Sequence, residues 1–86
     1  MDWETFTKCS HEEPHKVKGL LITFYWDGKY PITGIVTYII YGPRSRIRYE
    51  LTCDNGKRYT VGSTTAKSFK IHSDKERMLF KLKNDL

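Results

Sequence analysis

The stretch that most constrains this chain is Ile39 to Gly62, where one run alternates apolar with polar residues, a glycine turn interrupts it, and a second run alternates back. From Arg46 to Cys53 the odd positions carry Ile47, Tyr49, Leu51 and Cys53, and the even ones Arg46, Arg48, Glu50 and Thr52. That period of two belongs to a strand with one dry and one wet face. Tyr59 and Val61 repeat the pattern after the turn, against Arg58 and Thr60. The turn Asp54-Asn55-Gly56 admits two readings. A two-residue Asn-Gly type I′ loop sets Leu51 opposite Thr60 and leaves apolar residues on both faces. A three-residue turn with Gly56 in the left-handed bulge position sets Leu51 opposite Tyr59 and Tyr49 opposite Val61. The second keeps one face dry and is the register expected.

Upstream, Lys18 to Trp26 reads as a first strand with Leu20, Ile22, Phe24 and Trp26 toward the core and Leu21, Thr23 and Tyr25 away from it. Asp27-Gly28 makes the reversal, and an odd loop places Ile22 opposite Ile32 and Phe24 opposite Tyr30. The second strand, Tyr30 to Tyr41, is apolar on both parities: Ile32, Val36, Tyr38 and Ile40 on one, Ile35, Ile39 and Tyr41 on the other. Gly34 is where it is expected to bend. The loop Gly42-Pro43-Arg44-Ser45 reads as a type I turn that sets Ile40 opposite Ile47, Tyr38 opposite Tyr49 and Val36 opposite Leu51. After a short polar turn over Ser63 to Ser68, Phe69 to His72 is a fifth strand. Ser73 and Glu76 then form a capping box that opens a helix of about ten residues. Its Met78, Leu79, Leu82 and Leu86 side is expected to cover Ile35, Ile39 and Tyr41; the competing cover is a second copy of the chain, a homodimer through the outer face of the second strand. Residues 1–16 are mostly polar, contain Pro14 and show no sustained period, so they read as an arm; its Trp3 and Phe6, at spacing three, could form one helical turn docked on the barrel, and they read as a plug for an open barrel end rather than a partner-binding pair. The expected fold is mainly β: a five-stranded SH3-like or Sm-like small barrel, an antiparallel meander over 17–72, with an acidic N-terminal arm over 1–16 and a C-terminal helix over 73–86.

The chain's 86 residues suit one domain with a modest core. With no apolar segment of about 20 residues, no membrane-spanning helix or signal peptide is expected, and the two cysteines, Cys9 and Cys53, read as free thiols in a reducing, cytoplasmic setting. The net charge of +5 is uneven. Asp2, Glu4, Glu12 and Glu13 against Lys8 and Lys16 leave the first sixteen residues at −2, so the remainder is at +7. A body so basic suits a polyanion or an acidic protein surface as partner.

Two stretches, ITFYWDGKYPITGIVTYI and YELTCDNGKRYTV, resemble the C-terminal half of the YolD-like family of bacterial and phage proteins. They share a strand, a turn and a G-x-[IV]-x-x-I pattern, here Gly34-Ile35-Val36-Thr37-Tyr38-Ile39. The resemblance runs from Leu21 to about Ile71, and Met1 to Lys16 departs from the family's N-terminal segment. It implies a small barrel and, through that family's link to DNA-damage tolerance, leans toward DNA.

Three constellations could carry chemistry. Arg44, Arg46 and Arg48 recur at spacing two and so leave one sheet face, which Arg58 joins from the next strand with Lys57 at the turn. Arginine forks match phosphate and carboxylate oxygens, and by parity Tyr25 and Tyr41 are available as stacking platforms for a single strand. The bland alternative is a solvated face on which Arg48, Glu50 and Arg58 neutralise one another. Cys9, His11 and His15, with Cys53 as a remote fourth, have the donor chemistry of tetrahedral zinc but not a usual finger spacing. Cys53 and His72 could be imagined as nucleophile and base, yet parity turns them to opposite faces, and Glu50 with Asp54 is too sparsely supported to be an acid and base pair. No glycine-rich phosphate loop is present, so the sequence calls for no cofactor. The expectation is a non-enzymatic barrel that binds nucleic acid through its arginine face, with the acidic arm competing for that face. The alternative is a phage or mobile-element protein that inhibits or adapts a bacterial host protein through the same arginines.

Overall fold

The computed structural model describes residues 1–25, 30–62 and 68–86. Its elements are α1 (Trp3–Glu12), β1 (Leu21–Tyr25), β2 (Ile32–Tyr41), β3 (Ile47–Thr52), β4 (Arg58–Gly62), β5 (Ser68–Ile71) and α2 (Asp74–Lys83). The strands form one antiparallel sheet in the order β4-β3-β2-β1-β5, with a helix at each end of the chain. Trp26, the Asp27-Gly28 reversal and the turn over 63–67 lie outside the described residues.

The β3–β4 hairpin has the expected register, Leu51 opposite Tyr59 and Tyr49 opposite Val61. Gly56 adopts φ 73°, the left-handed conformation that a glycine reaches without a steric penalty. The Cys53 N–H closes the turn on the Lys57 carbonyl at 2.7 Å.

Two registers differ from expectation. In the β1–β2 ladder Ile22 faces Gly34 and Phe24 faces Ile32, two residues along from the expected pairing. An even shift leaves every side chain on its face. Gly34 is also where β2 approaches β3 most closely, next to the Ile35–Thr52 pair. A Cβ on Gly34 would lie 2.8 Å from the Thr52 carbonyl oxygen and 2.9 Å from Cys53 Sγ. The β2–β3 ladder begins as expected, with Val36 opposite Leu51, but then slips by one, so that Tyr38 faces Glu50, Ile39 faces Tyr49, Ile40 faces Arg48 and Tyr41 faces Ile47. The extra residue is Thr37. Its hydroxyl donates to the Ile35 carbonyl at 3.2 Å and meets the Thr52 hydroxyl at 2.6 Å. A bulge exchanges the faces of all that follows it. The second strand is therefore apolar on both parities partly because it changes sides: Ile35 and Val36 are buried on opposite faces before the bulge, and after it Ile39 turns to the inner core. The connection to β3 is correspondingly one residue longer than a four-residue turn and carries Arg44 in the left-handed region at φ 58°, ψ 38°.

The N-terminal segment is not an arm. Asp2 caps α1 by accepting the Thr5 N–H at 2.7 Å, and Pro14 lies just past the helix end. Trp3, Phe6, Cys9 and Ser10 recur at helical spacing and turn toward one face of the sheet, where Phe6 and Ser10 are fully buried. The Phe6 ring centre lies 5.1 Å from that of Tyr49 and 5.0 Å from that of Phe69, and Trp3 meets Phe69 at 4.9 Å. Ser10 Oγ donates to the Phe6 carbonyl and meets the Tyr49 hydroxyl, each at 2.8 Å, which satisfies a buried phenol; burial pushes the Tyr49 hydroxyl's pKa upward. Ile22, Phe24, Val36, Leu51 and Val61 complete this inner core.

α2 opens with the expected capping box, Ser73 Oγ accepting the Glu76 N–H at 3.2 Å while Glu76 returns to the Ser73 N–H. Its half-buried side, however, is Arg77, Phe80 and Asn84. Met78, Leu79 and Leu82 are 60%, 57% and 77% exposed, contrary to the expected packing. The helix end lies beside Ile35, whereas Ile39 and Tyr41 turn the other way: Ile39 packs on the inner core and the Tyr41 hydroxyl donates to the Ser10 carbonyl of α1. The apolar outer face that called for a second copy is thus not a single face.

The helix caps titrate. The His72 imidazole, and then the Ser73 backbone and hydroxyl, hold Glu76 at about 2, below its ordinary 4.5; hydrogen bonds from Thr5 likewise hold Asp2 below 3.8. A carboxylate whose folded pKa is depressed stabilises the fold above its unfolded value and ceases to do so as pH falls through the folded one. Helical circular dichroism should therefore decline between about pH 4.5 and 2. A double Asp2→Asn, Glu76→Gln variant should start with less helix at neutral pH and show a flatter acid profile. An acid profile as steep as that of the unmodified chain would refute the assignment.

Candidate functional site

The outer face of β2, β3 and β4 is built by alternation. Arg48, Glu50 and Thr52 point outward from β3, and their cross-strand neighbours are Ile40, Tyr38 and Ile35 on one side and Gly62, Thr60 and Arg58 on the other. Arg46 continues the same parity just before the strand, and Arg44 and Lys57 stand exposed at the turns at opposite ends. All five basic residues are exposed, but only Arg48 and Arg58 lie on paired strands of this face, and they are spread along it. Arg58 faces Thr52, four residues from Arg48 along β3.

Glu50 lies between them. Its Oε1 is buried, accepts no hydrogen bond from a described residue, and has the Arg58 Nε 3.9 Å away. Arg58 is 65% exposed in its side chain, so this pairing contributes little. Its consequence is geometric: Glu50 draws Arg58, while Arg46 and Arg48 have no carboxylate partner among the described residues.

The tyrosines are redistributed by the bulge. Tyr41, expected on this face, lies on the inner side against α1, with the His11 ring 5.9 Å away. Tyr25 is on the outer face but on β1, beside Ser68 of β5, with β2 between it and β3. The tyrosine that stands next to the arginines is Tyr38, 55% exposed, with the half-buried Ile40 along the same strand. Parity alone could not find it, because parity fails at Thr37. The acidic N-terminal segment does not reach the arginines either: α1 is fixed on the inner face, and Glu13 pairs with Lys16 at 3.1 Å.

The remaining candidates separate. Among the described residues no three His, Cys, Asp or Glu side chains converge, so Cys9, His11, His15 and Cys53 are not brought together as a ligand set. Cys53 is buried, and its thiol is pushed up by burial and then by the Asp54 charge, the reverse of an activated nucleophile. It lines a notch of about 370 Å³ with Tyr30, Pro31, Ile32, Thr33, Asp54 and Tyr59, and His72 is not among the lining residues. His72 instead joins a chain that sequence reading missed: Glu76 Oε2 lies 3.0 Å from Nδ1, Thr23 Oγ1 lies 2.7 Å from Nε2, and Thr33 Oγ1 lies 2.6 Å beyond. The order carboxylate, imidazole, hydroxyl is that of a hydrolase triad, but Thr23 is only 5% exposed in mid-strand and shared with a second hydroxyl. The chain fastens the start of α2 to β1 and β2.

Among the described residues no helix is long and apolar enough to cross a membrane. Comparison with known proteins finds no matching family model, no matching curated protein and no matching solved structure.

Proposed function

We propose that the chain is a non-enzymatic small barrel of SH3-like or Sm-like type whose outer sheet face binds nucleic acid. The observation that carries this reading is that Arg46 and Arg48 are exposed, lack carboxylate partners among the described residues, and share a face with the exposed Tyr38. Phosphates would be held by Arg44, Arg46 and Arg48, with Arg58 and Lys57 extending the track toward the β3–β4 turn. Tyr38 offers a ring on which a base of a single strand can stack, a contact worth about 1–3 kcal/mol. The YolD-like resemblance and the strand order with β5 beside β1 agree with this reading.

The test is fluorescence anisotropy with labelled single-stranded and duplex oligonucleotides at two salt concentrations. Affinity should fall steeply with salt, and an Arg44→Glu, Arg46→Glu, Arg48→Glu variant should fold, bind more than about tenfold more weakly, and lose about three from the salt slope. Flat traces at low salt, or unaltered binding by the variant, would remove nucleic acid and leave the face to an acidic protein surface.

A further inference from the structure

We propose that the cleft between the end of α2 and the bulged part of β2 is a docking site for an acidic, amphipathic peptide segment of a partner protein. Its floor is Ile35, Val36, Thr37 and Thr52; Lys18 and Gly19 form one rim, Lys81 and Leu86 the other, and the volume is about 490 Å³. That is within the range of about 300–1,000 Å³ typical of small-ligand pockets. The Lys18 rim is fixed in place, because the Gly19 N–H donates to the Val36 carbonyl at 2.8 Å and the Val36 N–H to the Leu20 carbonyl at 3.0 Å.

The floor is apolar in effect. Thr37 and Thr52 spend their hydroxyls on each other and on the Ile35 carbonyl, so the cleft presents aliphatic carbon where an incoming ligand would rest. With no aromatic ring in the lining there is nothing for a nucleobase to stack on. A leucine- or phenylalanine-like side chain fits this surface.

The rims decide the charge of what comes with it. Lys18 and Lys81 are exposed and have no carboxylate partner among the described residues. Glu13 is engaged with Lys16 at 3.1 Å, Asp74 with Arg77 at 3.5 Å, and Glu76 with His72 and Ser73, while Asp85, four residues from Lys81, forms no ion pair with it. The outward side of α2 continues the same character, with Met78, Leu79 and Leu82 exposed alongside Lys75 and Lys83. Carboxylates on the partner would therefore meet lysines on both sides of an apolar anchor. Charge complementarity at such exposed rims gives orientation and on-rate more than raw affinity, which the apolar floor supplies.

The experiment pans a random dodecapeptide library against the full chain, then maps the recovered peptides by amide chemical shifts and measures them against a Lys18→Glu, Lys81→Glu variant. Both lysines are exposed, so the variant should fold. Expected are peptides with Asp or Glu flanking a bulky apolar residue, shifts at Gly19, Val36, Thr37 and Thr52, and binding at least tenfold weaker to the variant. Binding should survive Arg46→Glu, Arg48→Glu, which separates this site from the nucleic-acid face. Recovery of no peptide, of peptides without net negative charge, or of peptides indifferent to the double reversal would overturn the proposal. So would an oligonucleotide that moves the same amides and displaces the peptide.

Discussion

Phe6→Ala is expected to destabilise the whole chain by about 3–5 kcal/mol, the cost of emptying a buried aromatic site. A domain of this size has a total stability of order 5–10 kcal/mol, so the variant should lose about a third or more of its resistance to denaturant. Phe6 has no exposure and is packed among Trp3, Tyr49 and Phe69. Truncation would leave a void that Tyr49 cannot fill, because the Tyr49 hydroxyl is held by Ser10 on the same helix. Phe6→Leu, which keeps most of the volume, should cost less than about 1.5 kcal/mol.

The decisive readout is where the loss appears. Hydrogen exchange should accelerate in β2 and β3 as well as in α1, since the inner face of both strands rests on the helix. Were α1 a detachable arm, Phe6→Ala would release only its own amides and leave the urea midpoint of the sheet unmoved. That result would overturn the assignment of α1 to the core.

How far the sequence could be read follows from where each local rule held. The β3–β4 hairpin was legible because turn chemistry and alternation agree on one register, and Gly56 supplies the left-handed residue that the turn requires. The capping box of α2 was legible for the same reason: Ser73 and Glu76 stand three apart before a helical run. Of α1 no more than one turn was legible, from Trp3 and Phe6, because its apolar residues are few and most of its surface is polar, although Asp2 before Trp3 is a capping signal and Trp3, Phe6 and Ser10 recur at helical spacing.

The second strand shows why the site was only partly legible. Its Ile39-Ile40 pair offers alternation no preference, so the sequence contains no mark of the bulge at Thr37. One inserted residue misplaced Tyr38, Ile39, Ile40 and Tyr41 together. Alternation on β3 places Arg48 outward as read, whereas Arg44 lies in a turn that alternation does not govern, and Tyr38, the aromatic neighbour on the bulged strand, was not found. The buried side of α2 escaped for a related reason. A helix with leucines on one side and Phe80 on the other has two candidate apolar faces, and the sheet, not the helix, selects between them.

Gly34→Ala is the second large effect, and it tests how closely β2 approaches β3. The added methyl would sit 2.8 Å from the Thr52 carbonyl oxygen, 2.9 Å from Cys53 Sγ and 3.1 Å from Leu51 Cβ. The first of these is backbone in a paired strand and the second is a buried side chain, so neither can swing away. Overpacking of this kind costs about 2–3 kcal/mol, which for a domain of this length lowers Tm by about 10–20 °C. Gly42→Ala is the control: its nearest neighbours would lie at 3.5 and 3.7 Å, ordinary contact, and Tm should barely move. A second variant, Gly34→Ala with Cys53→Ala, removes the thiol but leaves the Thr52 carbonyl, so it should recover only part of the loss. Full recovery would place the conflict on Cys53 alone and disprove the close approach of β2 to the β3 backbone. A Gly34→Ala chain as stable as the original would mean that Gly34 does not lie against Thr52 and Cys53, and the β2–β3 pairing of Ile35 with Thr52 would have to be given up.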